Sequence, residues 1–321
     1  MKKNLLLILI FLLINIFSFG QATTVLEEDL NDGKSIIEAY LSPFGNSLGA
    51  SLNNGWYNTA RPHKLGGFDL TITINTVLIP SSATTFNIDD AVTGSSFSSS
   101  STESATFVGN DKDIATMNYT QSGLTESFQM PGGVDLKAIP LPMLQAGVGL
   151  IKGTEIDIRY IPLQDIGTIG QIDLFGLGFK HDILQWIPLA STLPIDVSIQ
   201  GGYTNLNSTF EVQSQDVELN VKASTMNVII SKKFLMLTAH AGLGYNSAAT
   251  TFKVKEQYAI GVGGNVIQFD PGKLSEFSFE SQNSLRANVG LRVKLALIAL
   301  QANYTLADYP VATIGLGISV R

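Results

Sequence analysis

The residues of this chain that could carry acid–base or metal chemistry are three histidines, His63, His181 and His240, and there is no cysteine. A hydrolytic enzyme would need a serine or a carboxylate paired with one of these histidines. Asp182 follows His181 directly, but neighbouring side chains of a strand point to opposite faces, so the two cannot simply pair. Zinc sites need cysteines or closely spaced histidines. The sequence therefore predicts no catalytic residue, no metal site and no cofactor.

Five charged residues lie on the polar faces of predicted strands, where they could line the inside of a barrel. They are Glu155, Asp157, Arg159, Arg292 and Lys294. Such charges can pair with one another, or they can set the selectivity of a water-filled lumen. They fit poorly with a purely hydrophobic cargo.

A polar, glycine-containing stretch upstream of these strands supplies candidate ligand contacts. They are Asn54, Trp56, Tyr57 and His63. The two aromatic residues could contact an apolar ligand, or they could anchor their own segment, because buried aromatic side chains contribute chiefly by packing. Both interpretations remain open from the sequence.

The first residues show the pattern of a secretory signal peptide. Two lysines precede an apolar run that ends with small residues at Ser18 and Gly20, and these are the three parts of such a signal. We expect residues 1–20 to be removed by cleavage after Gly20. The alternative is a membrane anchor, but a spanning helix needs roughly 20 apolar residues, more than this run provides.

The overall composition excludes some functions and raises a question about the apolar residues. The formal net charge is −7, and loss of Lys2 and Lys3 would make it −7 − 2 = −9, so we expect no nucleic-acid partner. Apolar residues make up 45% of the chain and the mean hydropathy is +0.21. After the signal, the longest uninterrupted apolar run is only Leu295–Leu300. The apolar residues must therefore lie in strands.

Strict alternation of apolar and polar residues marks these strands. Phe68, Leu70, Ile72 and Ile74 share one face of a strand, and the same pattern recurs at Val289 and Leu291. Soluble β-sandwiches also alternate, but many of these segments reach the ~9–11 residues that a membrane strand needs. The sequence predicts an all-β fold, a closed antiparallel transmembrane β-barrel of about 12 strands, with roughly 10 to 14 possible.

Glycines also recur in pairs on the faces opposite the apolar rows. The pairs are Gly147/Gly149, Gly176/Gly178, Gly242/Gly244, Gly261/Gly263 and Gly315/Gly317. None is followed by the helix of a dinucleotide site. We expect all five pairs to face the lumen, where they could permit tight curvature or make room for a plug.

The chain divides into a signal peptide (1–20), an amino-terminal hatch (21–65) and a barrel (66–321). Apolar residues from Ile36 to Leu48 follow helical spacing that Pro43 and Gly45 interrupt, which predicts two short helices in the hatch. Residues 80–142 contain a Ser/Thr-rich stretch, whose composition predicts a mobile extracellular loop without a core.

The run that starts at Asn53 reads Asn-Asn-Gly-Trp-Tyr-Asn-Thr-Ala and continues through His-Lys to Gly-Gly-Phe-Asp-Leu-Thr. It resembles a family of uncharacterised outer-membrane proteins of the Bacteroidota, catalogued as a domain of unknown function. A later stretch, Gly176-Leu-Gly-Phe-Lys-His-Asp, is similar to that family as well. The resemblance implies an architecture like that of the long-chain fatty acid type of hydrophobic-compound transporters, with a hatch inside a barrel. It implies no catalytic residues.

The leading hypothesis for the function is passive uptake or binding of a small hydrophobic compound by a barrel in the outer membrane of a Gram-negative cell. The expected partners are outer-membrane lipid, a small hydrophobic ligand and the outer-membrane assembly machinery. A structural or assembly-partner barrel with a closed lumen is the alternative. An enzyme acting on lipid is the weakest hypothesis, since it would need a histidine within reach of a Ser, Asp or Glu at the rim.

Overall fold

The computed structural model describes most of the chain after the predicted signal peptide. The described residues are 27–121, 124–165, 170–188, 193–212, 215–254, 259–262, 265–268, 276–280 and 285–320. The predicted signal peptide, its cleavage site and residues 21–26 of the predicted hatch lie outside them. Within the described part, no helix has the length and apolarity needed to cross a membrane.

One long helix, α1 (Glu27–Leu52, 26 residues), precedes the first strand. The expectation of two short helices was wrong, because the helix continues through Pro43. Proline has no N–H to bond the carbonyl four residues back, and here the Ser42 hydroxyl donates to that carbonyl, on Ala39, at 3.4 Å. The Ser47 hydroxyl in turn donates to the Pro43 carbonyl at 2.7 Å. The Ser42 hydroxyl thus supplies the donor to the Ala39 carbonyl that Pro43 lacks.

The strands follow in chain order. They are β1 (Phe68–Leu78), β2 (Thr85–Asn87), β3 (Phe97–Ser99), β4 (Glu103–Ala105), β5 (Thr116–Gln121), β6 (Leu124–Gln129), β7 (Ala138–Gly149), β8 (Thr154–Asp165), β9 (Gln171–Asp182), β10 (Asp196–Val212), β11 (Gln215–Phe234), β12 (Leu237–Val254), β13 (Ala259–Val262), β14 (Asn265–Gln268), β15 (Glu276–Glu280), β16 (Leu285–Leu295), β17 (Ile298–Leu306) and β18 (Val311–Val320). A four-residue helix, α2 (Ile88–Ala91), lies between β2 and β3.

Ten strands of the described chain close into one antiparallel barrel, in the order β1, β7, β8, β9, β10, β11, β12, β16, β17, β18 and back to β1. The prediction of a closed antiparallel barrel is confirmed, and its ten strands are the lower end of the expected range of roughly 10 to 14 rather than the expected number of about 12. The excess comes from the region after β12. Among the described residues of this region, β13 pairs only with β14, and β15 pairs only with the end of β12. Gly261 therefore lies outside the barrel wall, and Gly263 lies outside the described residues.

The predicted sidedness of the strands agrees with the structure. Along β1, exposed and buried residues alternate without a break from Phe68 to Ile74. Val289 and Leu291 on β16 are exposed, whereas Arg292 is buried. The outer wall therefore presents apolar side chains and the inner wall presents polar ones, the pattern of a barrel surrounded by lipid.

The two ends of the barrel differ in the length of their connections. At the end where β1 begins, the turns 150–153, 235–236 and 296–297 are short, and only the connection 183–195 between β9 and β10 is longer. At the opposite end, the connection 79–137 is long. We call these the short-turn end and the long-loop end.

The connection 79–137 is folded, which corrects the expectation of a coreless mobile loop at 80–142. Strands β2 and β4 pair, and β3, β5 and β6 form a small sheet. Phe97, Met117 and Tyr119 are buried with Ile36 of α1 in one apolar cluster. A few large apolar residues between the serines are enough to fold this region once α1 supplies the other half of the core. The barrel wall resumes at Ala138, before the predicted boundary.

Candidate functional site

The candidate site is the barrel lumen, where the inner wall meets residues 27–65, called here the amino-terminal segment. At the long-loop end, the contact is apolar. Ile37, Tyr40, Leu41, Leu48 and Leu52 of α1 are buried in one cluster with residues of the inner wall, which are Met143, Leu174, Leu206, Leu219, Val221, Ala223, Ala248 and Phe252. Burial raises the pKa of the Tyr40 hydroxyl, so it stays neutral, and it donates to the Gly132 carbonyl at 3.0 Å.

Two buried arginines hold the carboxyl end of α1. Arg159 of β8 donates to the carbonyls of Leu52 and Asn54, each at 2.7 Å. Arg286 of β16 donates to the Asn53 carbonyl at 2.7 Å. The last carbonyls of a helix have no partner within the helix, and this end carries partial negative charge. Two cations from different strands therefore neutralise the helix end and fix it in the lumen.

Asn54 joins the same helix end to three further strands. Its carbonyl accepts from Asn75 Nδ2 at 3.0 Å, and its side-chain oxygen accepts from Arg286 at 2.8 Å and from Thr305 at 2.6 Å. Asn75 in turn accepts from Thr313 at 2.9 Å. Asn54 is therefore buried, and in this conformation its hydrogen bonds are structural.

Trp56 lies flat against glycines of the wall. A Cβ atom at Gly178 would lie 2.7 Å from the indole ring, and one at Gly202 would lie 2.5 Å from it. On its other side, the Arg159 guanidinium carbon lies 3.7 Å from the ring centroid. Tyr57 also approaches a glycine of the wall, Gly242, where its hydroxyl is the nearest atom. These glycines leave the space that the two aromatic side chains occupy.

The short-turn end holds a buried polar cluster around His63. Its Nδ1 atom lies 2.7 Å from Glu155 Oε2, and Nε2 lies 3.3 Å from Ser319 Oγ. Lys180 Nζ donates to the other oxygen of Glu155 at 2.6 Å. Asp69 Oδ1 lies 3.8 Å from the imidazole. Residues far apart in the sequence thus meet where the segment passes from the lumen into β1.

The His63 cluster contains groups that other proteins use for catalysis or for metal binding. Ser319, His63 and Glu155 have the order of a nucleophile, a base and an orienting carboxylate. However, Ser319 is 1% exposed, so no substrate carbonyl can approach its hydroxyl in this conformation. Ligand atoms of His63, Asp69 and Glu155 lie within 4.8 Å of one another, yet both oxygens of Glu155 already accept hydrogen bonds. The arrangement is complete as a structural link.

The remaining candidates lie in three different settings. Asp157 accepts a hydrogen bond from Gln145 at 3.2 Å on the buried inner wall. Lys294 is half-buried near the short-turn end, 3.5 Å from Ser319 Oγ. His181 faces away from the lumen network, accepts from or donates to Thr154 at 2.9 Å and stacks on Trp186. His240 is buried on the inner face of β12 against Tyr57.

Several residues of this network were absent from the sequence-based candidates. They are Asp69, Asn75, Lys180, Arg286 and Ser319. Alternation could have placed each on an inner face, since Lys180 shares its face with Gly178 and Arg286 shares its face with Asn288. Their partners could not be read from the sequence, because those partners lie on strands brought together by barrel closure.

The lumen also distributes its charge unevenly. The buried acids of the described barrel strands, Asp69, Glu155 and Asp157, lie on β1 and β8. Arg286 and Arg292 lie on β16. Among the buried residues of the described strands, β8 therefore carries two acids and one base, whereas the charged residues of β16 are both cations.

Solved structures with a similar barrel have very different sequences. Ail, the attachment invasion locus protein of Yersinia pestis, is 11% identical over 80% of this chain and 98% of that chain, with a TM-score of 0.28. The transport unit of the autotransporter AIDA-I from Escherichia coli is 9% identical over 88% and 98%, with a TM-score of 0.32. The Pseudomonas putida toluene transporter TodX is 9% identical over 88% and 96%, with a TM-score of 0.22. At TM-scores this low, no property of these proteins is transferred to the chain.

No curated protein matches the chain significantly. A family of unknown function does match it, over residues 1–320. The match spans the amino-terminal segment as well as the barrel wall, and the chain belongs to that family, DUF6588.

Proposed function

We propose that this chain is an outer-membrane β-barrel of a Gram-negative cell that binds or passively takes up a small hydrophobic compound. In this proposal the amino-terminal segment is a hatch that must move before the lumen opens. The location is supported by the continuous apolar outer wall, because a water-soluble protein rarely exposes so large an apolar surface. Large apolar side chains on every wall strand are exposed, Ile72, Leu177, Val228, Leu243 and Leu316 among them.

The proposal of a hydrophobic cargo rests on the apolar inner wall at the long-loop end. Barrel interiors are usually polar, but here Met143, Leu174, Leu206 and Val221 point inward and are covered by α1. A displaced α1 would leave an apolar surface facing the lumen. Such a surface favours an apolar compound over a polar one, because burial of apolar area is the main driving force for binding there.

Residues 59–61 of the hatch are held by contacts that water can replace. Thr59 and Ala60 bond the Ser231 hydroxyl at 3.3 and 3.0 Å, and Arg61 forms a largely exposed ion pair with Asp196. Hydrogen bonds contribute only about 0.5–1.5 kcal/mol each net of water. Residues 59–61 can therefore shift at moderate cost, whereas release of α1 must also break the bonds from Arg159 and Arg286. Asn54, Trp56, Tyr57 and His63 would then line the route.

A disulfide that locks the hatch tests this proposal. The hydroxyls of Thr59 and Ser231 lie 3.3 Å apart, so the pair Thr59→Cys and Ser231→Cys should cross-link on oxidation, and the chain has no cysteine to interfere. Vesicles containing the barrel should take up the apolar dye N-phenylnaphthylamine when the pair is reduced. Oxidation should lower uptake to the level of protein-free vesicles, because the hatch can no longer leave the wall.

A disulfide within the wall is the control. Asn207 of β10 and Asp173 of β9 are paired in the sheet register and their side chains lie 2.9 Å apart, so the pair Asn207→Cys and Asp173→Cys should cross-link without affecting dye uptake. Equal uptake by the oxidised and reduced Thr59/Ser231 variant would show that the hatch does not gate the lumen. No uptake above protein-free vesicles in any form would favour the second candidate, a structural barrel with a closed lumen. The observation behind that candidate is the complete burial of Trp56 by the wall.

A further inference from the structure

The inner faces of β12 and β16 carry hydrogen-bonding groups that the amino-terminal segment leaves unused. His240 is 5% exposed, and neither of its ring nitrogens has a partner among the described residues. An imidazole always carries at least one N–H, so at least one buried donor is unpaired here. The Tyr57 hydroxyl is likewise buried without a partner in the described chain. The two rings meet edge to face, with centroids 5.9 Å apart.

The backbone of β16 brings a cation to the same place. His240 lies opposite Gly290 in the sheet register, and a Cβ atom at Gly290 would lie 2.5 Å from the imidazole Nε2. The glycine therefore lets the imidazole lie against β16. Arg292 follows two residues later on the same inner face and is buried. The side-chain oxygen of Asn288, two residues before Gly290, also lacks a partner in the described chain.

The charged groups that act on His240 and on Tyr57 are cations, and one of them, Lys180, is paired with Glu155. Arg292 and Lys180 are the charged groups that act on His240, and Arg286 acts on Tyr57. The buried residues of β11, β12, β16 and β17 include no carboxylate in the described chain. The unpaired Tyr57 hydroxyl and imidazole N–H, close to buried arginines, are suited to a negatively charged acceptor, and hydrogen bonds in which the donor or the acceptor is ionised are roughly twice as strong as neutral ones.

We propose that Tyr57, His240 and Arg292 form a lumen site for a small oxyanion, the carboxylate or phosphate group of a solute. The tyrosine hydroxyl and one imidazole N–H donate to the anion, and the arginine supplies the compensating charge. Tyr57, His240 and Arg292 are all buried, so an anion reaches them only when the amino-terminal segment shifts, and in this respect the site rests on the proposed function.

Inorganic phosphate is the probe for this site. Trp186→Phe leaves Trp56, the neighbour of Tyr57, as the single tryptophan of the chain, and its fluorescence reports on this part of the lumen. Phosphate is titrated into the folded barrel in detergent, with chloride adjusted to keep the ionic strength constant. The fluorescence change should saturate with phosphate and be absent in a titration with chloride alone.

Substitution of the histidine distinguishes a site from general screening. His240→Gln should weaken phosphate binding about tenfold, the loss expected for one hydrogen bond to a charged group. His181→Gln is the matched control, because His181 lies outside the lumen network, and it should bind phosphate like the parent. Arg292→Lys keeps the charge and should bind more tightly than Arg292→Gln, with the fold of each variant checked by its heat-dependent migration on a gel.

Three results would overturn the site: no saturation with phosphate, the same change with chloride, or unchanged binding in His240→Gln. Each concerns binding in the isolated barrel. Phosphate binding is measured in detergent and dye uptake in vesicles, so dye uptake without phosphate binding would refute this site alone, and phosphate binding without dye uptake would refute the uptake proposal alone.

Discussion

Replacement of Arg159 by methionine should release the end of α1 from the wall while the barrel itself remains closed. Arg159 donates to the Leu52 and Asn54 carbonyls and stacks on Trp56. Its side chain points into the lumen, and the strand pairing of β8 uses only backbone groups. The substitution therefore removes contacts to the amino-terminal segment and leaves the ladder of the wall unchanged.

The size of the effect follows from the contacts that are lost. A hydrogen bond from a charged donor contributes about 1.5–3 kcal/mol, so two such bonds sum to about 3–6 kcal/mol. Relief from burying the guanidinium offsets part of this, because burial of an ion costs several kcal/mol. The Asn54 carbonyl also keeps its bond from Asn75. We expect the free energy of opening of the segment to fall by about 2–4 kcal/mol.

Limited proteolysis of the folded barrel measures this opening. When reclosing is faster than cleavage, the cleavage rate follows the population of the open form, so the rate within residues 27–65 should rise by roughly 25- to 700-fold. Arg61→Met is the matched control. Arg61 forms an ion pair that is largely exposed, for which a change of less than about 1 kcal/mol is expected.

Two results would contradict this reasoning. Cleavage of Arg159→Met at the parent rate would mean that the helix end is held by its apolar contacts alone. A larger effect of Arg61→Met than of Arg159→Met would mean that the segment opens from its carboxyl-terminal part instead. In either case, the clamp at the end of α1 would not be the main restraint.

Two further substitutions test the outer wall and the aromatic anchor. Leu291→Arg places a charge on the exposed apolar face and should reduce the folding yield in lipid vesicles, since an arginine at mid-bilayer costs about 2–4 kcal/mol. Leu235→Arg, in a turn, is the control and should fold like the parent. Equal folding yields of the two variants would refute this register. Trp56→Ala removes a side chain packed between glycines and Arg159, at a cost of about 3–5 kcal/mol. It should therefore increase permeability to several unrelated solutes, and a change confined to an apolar dye would instead identify Trp56 as a ligand contact.

The barrel class and the sidedness of its strands could be predicted because both follow from a local period of two. Any strand with one apolar face, such as β1, reveals its own orientation without knowledge of its neighbours. The number of strands could not be predicted as well. Whether a segment near Gly261 joins the wall or pairs outside it depends on contacts that alternation does not encode.

The predictions for the helix and for the long connection were wrong for a related reason. Pro43 predicts a break when only backbone hydrogen bonds are considered, and the Ser42 hydroxyl that compensates for it is visible only in three dimensions. The Ser/Thr-rich connection was predicted to lack a core because part of its core, including Ile36, comes from α1. In both cases a local rule was overridden by a partner elsewhere in the chain.

For the site residues, the location could be predicted from the sequence but the pairing could not. Glu155, Asp157 and Arg159 were predicted for the lumen, and they lie on its inner wall. Arg159 was predicted as a lumen charge, but its role as a cap for α1 depends on Leu52 reaching it from more than one hundred positions away. Pairing of this kind is decided by the path of the segment through the barrel.

The inward-facing glycines of the wall determine where the segment can pass through the barrel. A barrel of about eight strands is just filled by its own side chains, so ten strands leave additional interior volume, and inward glycines enlarge it further. Gly178, Gly202 and Gly242 lie where Trp56 and Tyr57 touch the wall, and a Cβ atom at any of them would overlap an aromatic ring or its hydroxyl. Curvature alone would require no ring opposite these positions. The glycines and the aromatic side chains therefore form one packing arrangement, in which the wall is shaped for the segment that fills it.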